Sequence, residues 1–293
     1  MKIIEEYCKA YNSDGKIGDY KVKDILDKTT FYIVPLVNPD GYTLATKGID
    51  VIKDPELKKS LKNMKGSYSN WKANARGVDL NRNFPSIYWN QWKGRRSSLY
   101  SSKPAAEFYS GPSVNSEPET KAIVKLFKSI DFQALLDFHS RGNYIYWHRY
   151  FQDDAYNKLQ KEVAEIIKKQ TGYVMEVPSV EKIDGTNGTT VDYASETFKK
   201  VAITIETMPY NVTFPVKRSL VPDVYNKIKT VPLAVAVKMQ SVVQSNFYPY
   251  KVYQGKRFLN DFRLEKDAIA YAKNYANSYV KINDKVVWEF PKK

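Results

Sequence analysis

Three short stretches of this 293-residue chain carry side chains whose types and positions could do chemistry. In "LLDFHS" an apolar strand ends on His139, and the strand period of two puts Asp137 and His139 on one face. A carboxylate so placed can orient an imidazole that binds metal or acts as a base, although a satisfied core histidine would show the same pattern. In "TIETMP", Glu206 ends a second apolar strand, where loss of water raises a carboxyl pKa towards that of a working general base. In "GVDLNRNFP", Arg82 offers the planar fork that clamps a carboxylate and Asn81 can add a hydrogen bond; a surface ion pair would use the same residues.

The rest of the composition limits what these groups can join. There are two histidines, His139 and His148, and one cysteine, Cys8, which excludes a disulfide framework and a thiolate-rich zinc knuckle. The nine-residue step to His148 sets it in an aromatic strand, as a packed or surface histidine. A net charge of +14 points to an anionic partner or surroundings, such as a wall polymer or an acidic substrate. Nucleic acid is disfavoured, because the lysines are spread through amphipathic segments and no nucleic-acid-binding motif appears. No apolar run is long enough to cross a bilayer. The opening "MKIIEEYCKAY" has two glutamates where a signal peptide would be apolar, and reads as an amphipathic helix with Tyr7, Cys8 and Tyr11 on its apolar face. The compartment is left open, cytoplasmic or secreted.

Strands alternate with helices. Residues 31–37 read as a buried strand running into an Asn-Pro-Asp-Gly turn, and residues 47–74 as a partly helical surface excursion. Ser116, Pro118 and Glu119 mark a helix start, with Ser116 as N-cap. Residues 154–173 form an amphipathic helix closed by Gly172, residues 185–196 a loop, and residues 221–244 one long helix. The predicted architecture is α/β, a largely parallel mixed sheet covered by helices on both faces over 1–244. A linker "SNFYPY" then leads to a small α+β module at 250–293, read as strand, helix and two short strands.

Taken in order, "VPLVNPDGY", "GVDLNRNFP", "SEPET", "LLDFHS" and "TIE" resemble the zinc carboxypeptidases of the M14 peptidase family, over about residues 1–240. The wording "WKANARGVDLNRNFP" is most similar to the bacterial branch that cleaves γ-D-glutamyl–meso-diaminopimelate bonds in peptidoglycan peptides. The resemblance implies zinc held by a His-x-x-Glu pair and a later histidine, with an open position for water. It makes His139 the later zinc ligand and Glu206 the group that activates the water and protonates the leaving amine. It gives the substrate's terminal carboxylate to Asn81 and Arg82, the orientation of the first zinc histidine to Asp79, and a substrate contact to Ser140. Lys72 falls where the family has a transition-state arginine, with Arg76 as a stand-in; Tyr193 is a substitute for the family's flexible tyrosine, and Val191 lies near the specificity position.

The chain also departs from that pattern. No histidine precedes His139, so one of the family's three zinc ligands is present. The expectation is a chain shortened at its N-terminus, with early strands missing and activity impaired. The expected function is zinc-dependent hydrolysis of a peptide, a peptidoglycan stem peptide above all. The alternative is a non-catalytic peptide- or cell-wall-binding homologue.

Overall fold

The computed structural model describes residues 1–87, 89, 99–177 and 187–291, in two compact units, Met1–Val235 and Ala236–Lys293. The first unit opens with α1 (Lys2–Asn12), the short hairpin β1 (Lys16–Ile17) and β2 (Tyr20–Lys21), then α2 (Val22–Leu26), α3 (Pro39–Lys47) and α4 (Pro55–Lys62). It continues with α5 (Pro118–Ser129), β3 (Ala134–Ser140), β4 (Tyr144–Tyr146), α6 (Asp154–Thr171), β5 (Val174–Glu176), α7 (Thr190–Phe198), β6 (Val201–Thr207) and α8 (Val221–Ile228). Helix α9 (Val231–Phe247) crosses the boundary between the units.

The main sheet has the order β3-β6-β4-β5. It is mixed, as expected: β3 runs parallel to β6, β4 antiparallel to β6, and β5 parallel to β4. Strand β6 is its centre, with Val201, Ala202, Ile203 and Ile205 buried. β-Branched side chains suit a strand covered on both faces, where pleated neighbours restrict their rotamers at little extra cost. Helices α5 and α7 meet the sheet through one cluster, in which Ile123, Val124 and Phe127 join Val191, Tyr193, Ala194, Phe84 and Ala202. Helix α6 buries Gln160, Val163, Ala164 and Ile167 at helical spacing. Gln160 finishes β6 where β4 has ended: its amide donates to the Ala202 carbonyl and accepts from the Ala202 N–H, each at 3.0 Å. Gly172 closes α6 at φ +72°, a left-handed position that suits a residue without Cβ.

The second unit is a four-stranded antiparallel sheet of order β10-β9-β7-β8, formed by β7 (Tyr250–Gln254), β8 (Arg257–Phe262), β9 (Ser278–Ile282) and β10 (Lys285–Glu289). Val252 and Val280 pack against Ala268 and Ala272 of α10 (Glu265–Ala272). The stretch read as one opening strand is therefore a hairpin, turned at Gly255 with φ +57°. Nor is 245–250 a linker, since α9 continues to Phe247 and β7 begins at Tyr250.

Other differences have local causes. Residues 31–37 form no strand; among the described residues they make no backbone–backbone hydrogen bond, and Tyr32, Ile33, Val34 and Leu36 are exposed. An apolar run becomes a strand only where a neighbouring strand pairs with it, and among the described residues none does. Asn-Pro-Asp-Gly is a helix start, with the Asn38 side chain accepting from the Gly41 amide at 2.9 Å. Residues 190–198 are helix, not loop, and a Thr189–Asp192 capping box opens it. The expected single helix at 221–244 breaks between α8 and α9, just before Pro232, whose ring and missing N–H favour the first turn of a new helix. The N-cap of α5 is Glu117 rather than Ser116, because the Ser116 hydroxyl donates to the buried Glu117 carboxylate at 2.7 Å. Cys8 is exposed, and the apolar face of α1 buries Tyr7 and Ala10.

Replacing Gln160 with Leu strands the Ala202 N–H in the interior, while the Ala202 carbonyl keeps the Arg149 guanidinium at 3.1 Å. The variant should lose about 2 kcal/mol in urea unfolding, the usual cost of a buried unpaired polar group. Lys161→Ala, on the exposed face, should change stability by no more than about 0.5 kcal/mol. Equal losses in the two variants would contradict the role given to Gln160.

Candidate active site

Parallel pairing of β3 with β6 sets His139 directly opposite Glu206 and Asp137 opposite Thr204. Asp137 and His139 share a face, and Nε2 of His139 lies 2.9 Å from Oδ2 of Asp137. The same carboxylate receives the Thr190 hydroxyl at the start of α7. Burial opposes the charge on His139, but the carboxylates of Asp137 and Glu206 outweigh it and push the imidazole up to about 9. For Asp137 burial also works against charge; His139, Thr190 and Arg149 overcome it and hold its carboxyl below the usual range. Glu206 goes the other way: burial pushes its carboxyl up, and the positive charges of His139 and Lys72 offset this only in part. Its Oε2 is buried without a hydrogen-bond partner. Ser140 ends β3 and is exposed.

The turn that carries Arg82 is built by its neighbours. Asp79 is buried, and its two oxygens accept from the amides of Asn81 at 3.2 Å and Phe108 at 3.1 Å. Asp79 therefore holds the loop in place and meets no imidazole through those bonds. Asn81 Oδ1 accepts from the Thr190 amide at 3.2 Å, tying the turn to the first residue of α7. Arg82 donates from one terminal nitrogen to the Asn81 carbonyl at 2.7 Å, while its Nε is buried and unpartnered. Its charge reaches His139. Gly188, at φ +86°, closes the other side: a Cβ there would lie 2.6 Å from the Arg82 carbonyl oxygen.

Lys72 stands at the rim, 2.7 Å from Glu107 and about half exposed. Lys72 and Arg82 lie over the Phe108 ring, at 4.9 and 6.0 Å from its centre. Phe108 itself sits at φ +68°, an uncommon position for a bulky residue, held by its bond to Asp79. The structure thus brings Lys72, Arg82, His139 and Glu206 together, with Asp137, Asn81 and Asp79 supporting them. Other expectations fail. Arg76 does not stand in for Lys72, because it pairs with the fully buried Glu117 at 3.5 Å. Tyr193 is a core residue stacked on Phe127, and Val191 belongs to the same cluster, so neither faces a ligand. His148 packs edge-on against Trp147 and Tyr150, as expected of a packed histidine. The first two residues of the loop expected at 185–196 lie outside the described residues.

Sequence reasoning missed Thr190, Phe108 and Glu107. The Thr-x-x-Asp capping box at 189–192 could have revealed the helix that delivers Thr190; for Phe108 and Glu107 there was no signal. The donor set also decides how zinc fits. Among the described residues no group of three His, Cys, Asp or Glu side chains could hold a metal, and Nε2 of His139 faces Asp137. These residues do not make a zinc site by themselves.

The Asp137–His139 pair has a pH signature. The folded pKa of His139 is raised from 6.5 to about 9, so its contribution to stability is complete below 6.5 and is lost as pH rises through about 9. Thermal unfolding should therefore weaken over that interval, and less so in Asp137→Asn. By proton NMR, Asp137→Asn should move the His139 titration down from about 9, because its main carboxylate partner is gone, while His148, already held low by burial, stays in place. An unchanged His139 titration would contradict the pairing.

Comparison with known proteins agrees with the fold. The chain is 31% identical over 172 residues to the protein YqgT of Bacillus subtilis, covering 58% of this chain and 42% of that one. It is 32% identical over 154 residues to the gamma-D-glutamyl-L-diamino acid endopeptidase 1 of Lysinibacillus sphaericus, covering 50% and 36%. It thus spans less than half the length of either relative. The crystal structure of thrombin activatable fibrinolysis inhibitor shares the fold with a TM-score of 0.58 at 23% identity, over 83% of this chain and 57% of that one. The family model described as zinc carboxypeptidase, peptidase M14, matches residues 1–229, and the chain belongs to that family.

Proposed function

We propose that this chain carries a peptide-hydrolase site of the metallocarboxypeptidase type, directed at a γ-D-glutamyl–diaminopimelate bond of a peptidoglycan-derived peptide. By its described residues alone, the site binds its ligand and does not turn it over. The observation that carries this reading is the register that puts His139 against Glu206, with Arg82 and Lys72 in electrostatic reach of that pair. Arg82, with its Nε unpartnered, captures the terminal carboxylate of the peptide. Glu206, raised by burial, stands where the general base of a complete site would take a proton from water and return it to the leaving amine. Lys72 supplies positive charge at the rim, and Ser140 contacts the bound chain beyond His139. His139 is the one donor these residues offer to zinc, held in orientation by Asp137.

The substrate class is supported by the activity for which the Lysinibacillus relative is named and by the net charge of +14, which suits an anionic wall polymer or peptide. A second reading, a non-catalytic peptide- or wall-binding protein, is favoured by the donor set described above. Turnover separates the two.

The test is calorimetric binding of the dipeptide γ-D-glutamyl-meso-diaminopimelate, with chromatography of the mixture for release of diaminopimelate. Binding should be saturable and should weaken by about tenfold in Arg82→Lys, which keeps the charge and loses the fork. Release should stay at the uncatalysed rate. Binding unaffected by Arg82→Lys would remove the carboxylate assignment, and rapid release would show that the site is complete.

A further inference from the structure

The family match ends at residue 229, and the small module built from β7 to β10 and α10 lies beyond it. Its sheet has two unlike faces. Helix α10 covers one, where Val252 and Val280 meet Ala268 and Ala272. The other carries a row of aromatic rings, because residues opposite each other on neighbouring strands project to the same side. Phe258 of β8 pairs with Tyr253 of β7, and Tyr253 pairs with Tyr279 of β9. The rings follow the pairing. Phe258 stands edge-on to Tyr253 with centres 5.6 Å apart, and the Tyr253 and Tyr279 rings lie within 15° of parallel at 5.4 Å. Strands β7 and β9 are the inner two of the order β10-β9-β7-β8, so pairings inside the module set the row.

Cross-strand aromatic pairs stabilise a sheet by themselves, but these rings are also presented to solvent. Phe258 is 49% exposed, and Tyr253 and Tyr279 are partly exposed. They are held in place as well. The Tyr279 hydroxyl donates to the Gly255 carbonyl at 2.9 Å, and the Lys281 ammonium lies over the Tyr279 and Tyr253 rings at 5.4 and 5.9 Å. Charges of both signs share the face: Lys251 stands opposite Asp261 on one side and Lys281 on the other, and Glu289 stands opposite Tyr279. An exposed apolar patch rimmed by polar groups marks a surface that meets a ligand.

We infer that this face binds a neutral glycan chain, a run of linked pyranose sugars lying across Phe258, Tyr253 and Tyr279. One side of a pyranose ring presents C–H bonds, which are drawn to the electron-rich face of an aromatic ring. Its rim presents hydroxyls that both donate and accept, and the charges on this face answer both needs. The lysines donate to the sugar oxygens, while Asp261 and Glu289 accept from the hydroxyls. That balance of charge selects among ligands. A polyanion such as single-stranded nucleic acid would stack on the rings but meet Asp261 and Glu289 with its phosphates. An apolar protein surface, a second copy included, would strip water from both the acids and the lysines. A hydroxyl-rich, uncharged chain avoids both costs. The inference concerns residues of the second unit and holds whether or not the first unit hydrolyses a peptide.

The probes are hexasaccharides of β-1,4-linked glucose and of β-1,4-linked N-acetylglucosamine, titrated into the full chain. Calorimetry reads their affinity, and NMR follows the ring protons of Phe258, Tyr253 and Tyr279. The expected result is saturable binding of a hexasaccharide, with those three rings shifted. Phe258→Leu keeps the apolar bulk and loses the flat ring face, so it should weaken binding by about tenfold with the thermal melt unchanged. Phe258→Tyr keeps the ring and should retain the affinity. Arg82→Lys should leave glycan binding as it is, which separates this face from the carboxylate site. Rings unmoved by either sugar overturn the inference, as does equal affinity in Phe258→Leu or a loss in Arg82→Lys. So do ring shifts produced by oligothymidylate and not by the sugars, which would give the face to nucleic acid. A chain that sediments as a dimer with these rings already covered overturns it too, because a second copy then occupies the face.

Discussion

Seven consecutive residue pairs join β3 to β6 in parallel, and this register is the constraint on which the site depends. It sets His139 of one strand against Glu206 of the other, and the strand period carries Asp137 to the face of His139. A slip of one residue would turn Asp137 and His139 to the opposite face and move Glu206 out of reach. The register is fixed from both ends of β6. Val201, Ala202, Ile203 and Ile205 are buried in the core, Gln160 closes the Ala202 backbone, and the Thr207 hydroxyl donates to the His139 carbonyl at 2.8 Å. The chemistry at the strand ends thus rests on an ordinary apolar core two turns of pleat away.

Around that register, two carboxylates a short distance apart are driven in opposite directions. Asp137 sits between an imidazole and a hydroxyl and is held ionised, while Glu206 has an orphaned oxygen and is pushed up by burial. Separation of this kind lets one carboxylate orient a charge and leaves the other able to accept and return a proton. Arg82 is prepared in a different way. Asp79 and Asn81 spend their side-chain bonds on the amides of Asn81 and Thr190, fixing the turn that Gly188 approaches closely, and part of the guanidinium stays free. What the described residues lack is a set of three metal donors. The same residues are thus well arranged to receive a carboxylate and poorly arranged, on their own, to hold zinc.

Much of this was legible in the sequence, and the reasons for the rest are physical. Glu206 and the Asp137–His139 pair could be read because strand periodicity alone assigns their faces. The mixed sheet could be read because its strands are apolar runs with sharp polar ends. Residues 31–37 look the same in composition, but strand formation needs a partner that composition does not report. The helix at 190–198 was hidden by its Gly- and Thr-rich approach, although its capping box was in plain view. Arg76 and Tyr193 carried suitable chemistry in suitable positions, and only the fold shows them committed to Glu117 and to the Phe127 cluster. Phe108, between two cations at a left-handed backbone position, had no signature at all.

Zinc affinity tests this account most directly, because it asks whether the residues that shape the site can also hold the family's metal. Zinc would be titrated calorimetrically into the metal-stripped chain, with His139→Ala as the control. The expected result is no stoichiometric site, only weak binding that falls slightly in the control. One tightly held zinc per chain, lost in His139→Ala, would contradict it, since the described residues would then be completing a site for which they supply a single donor.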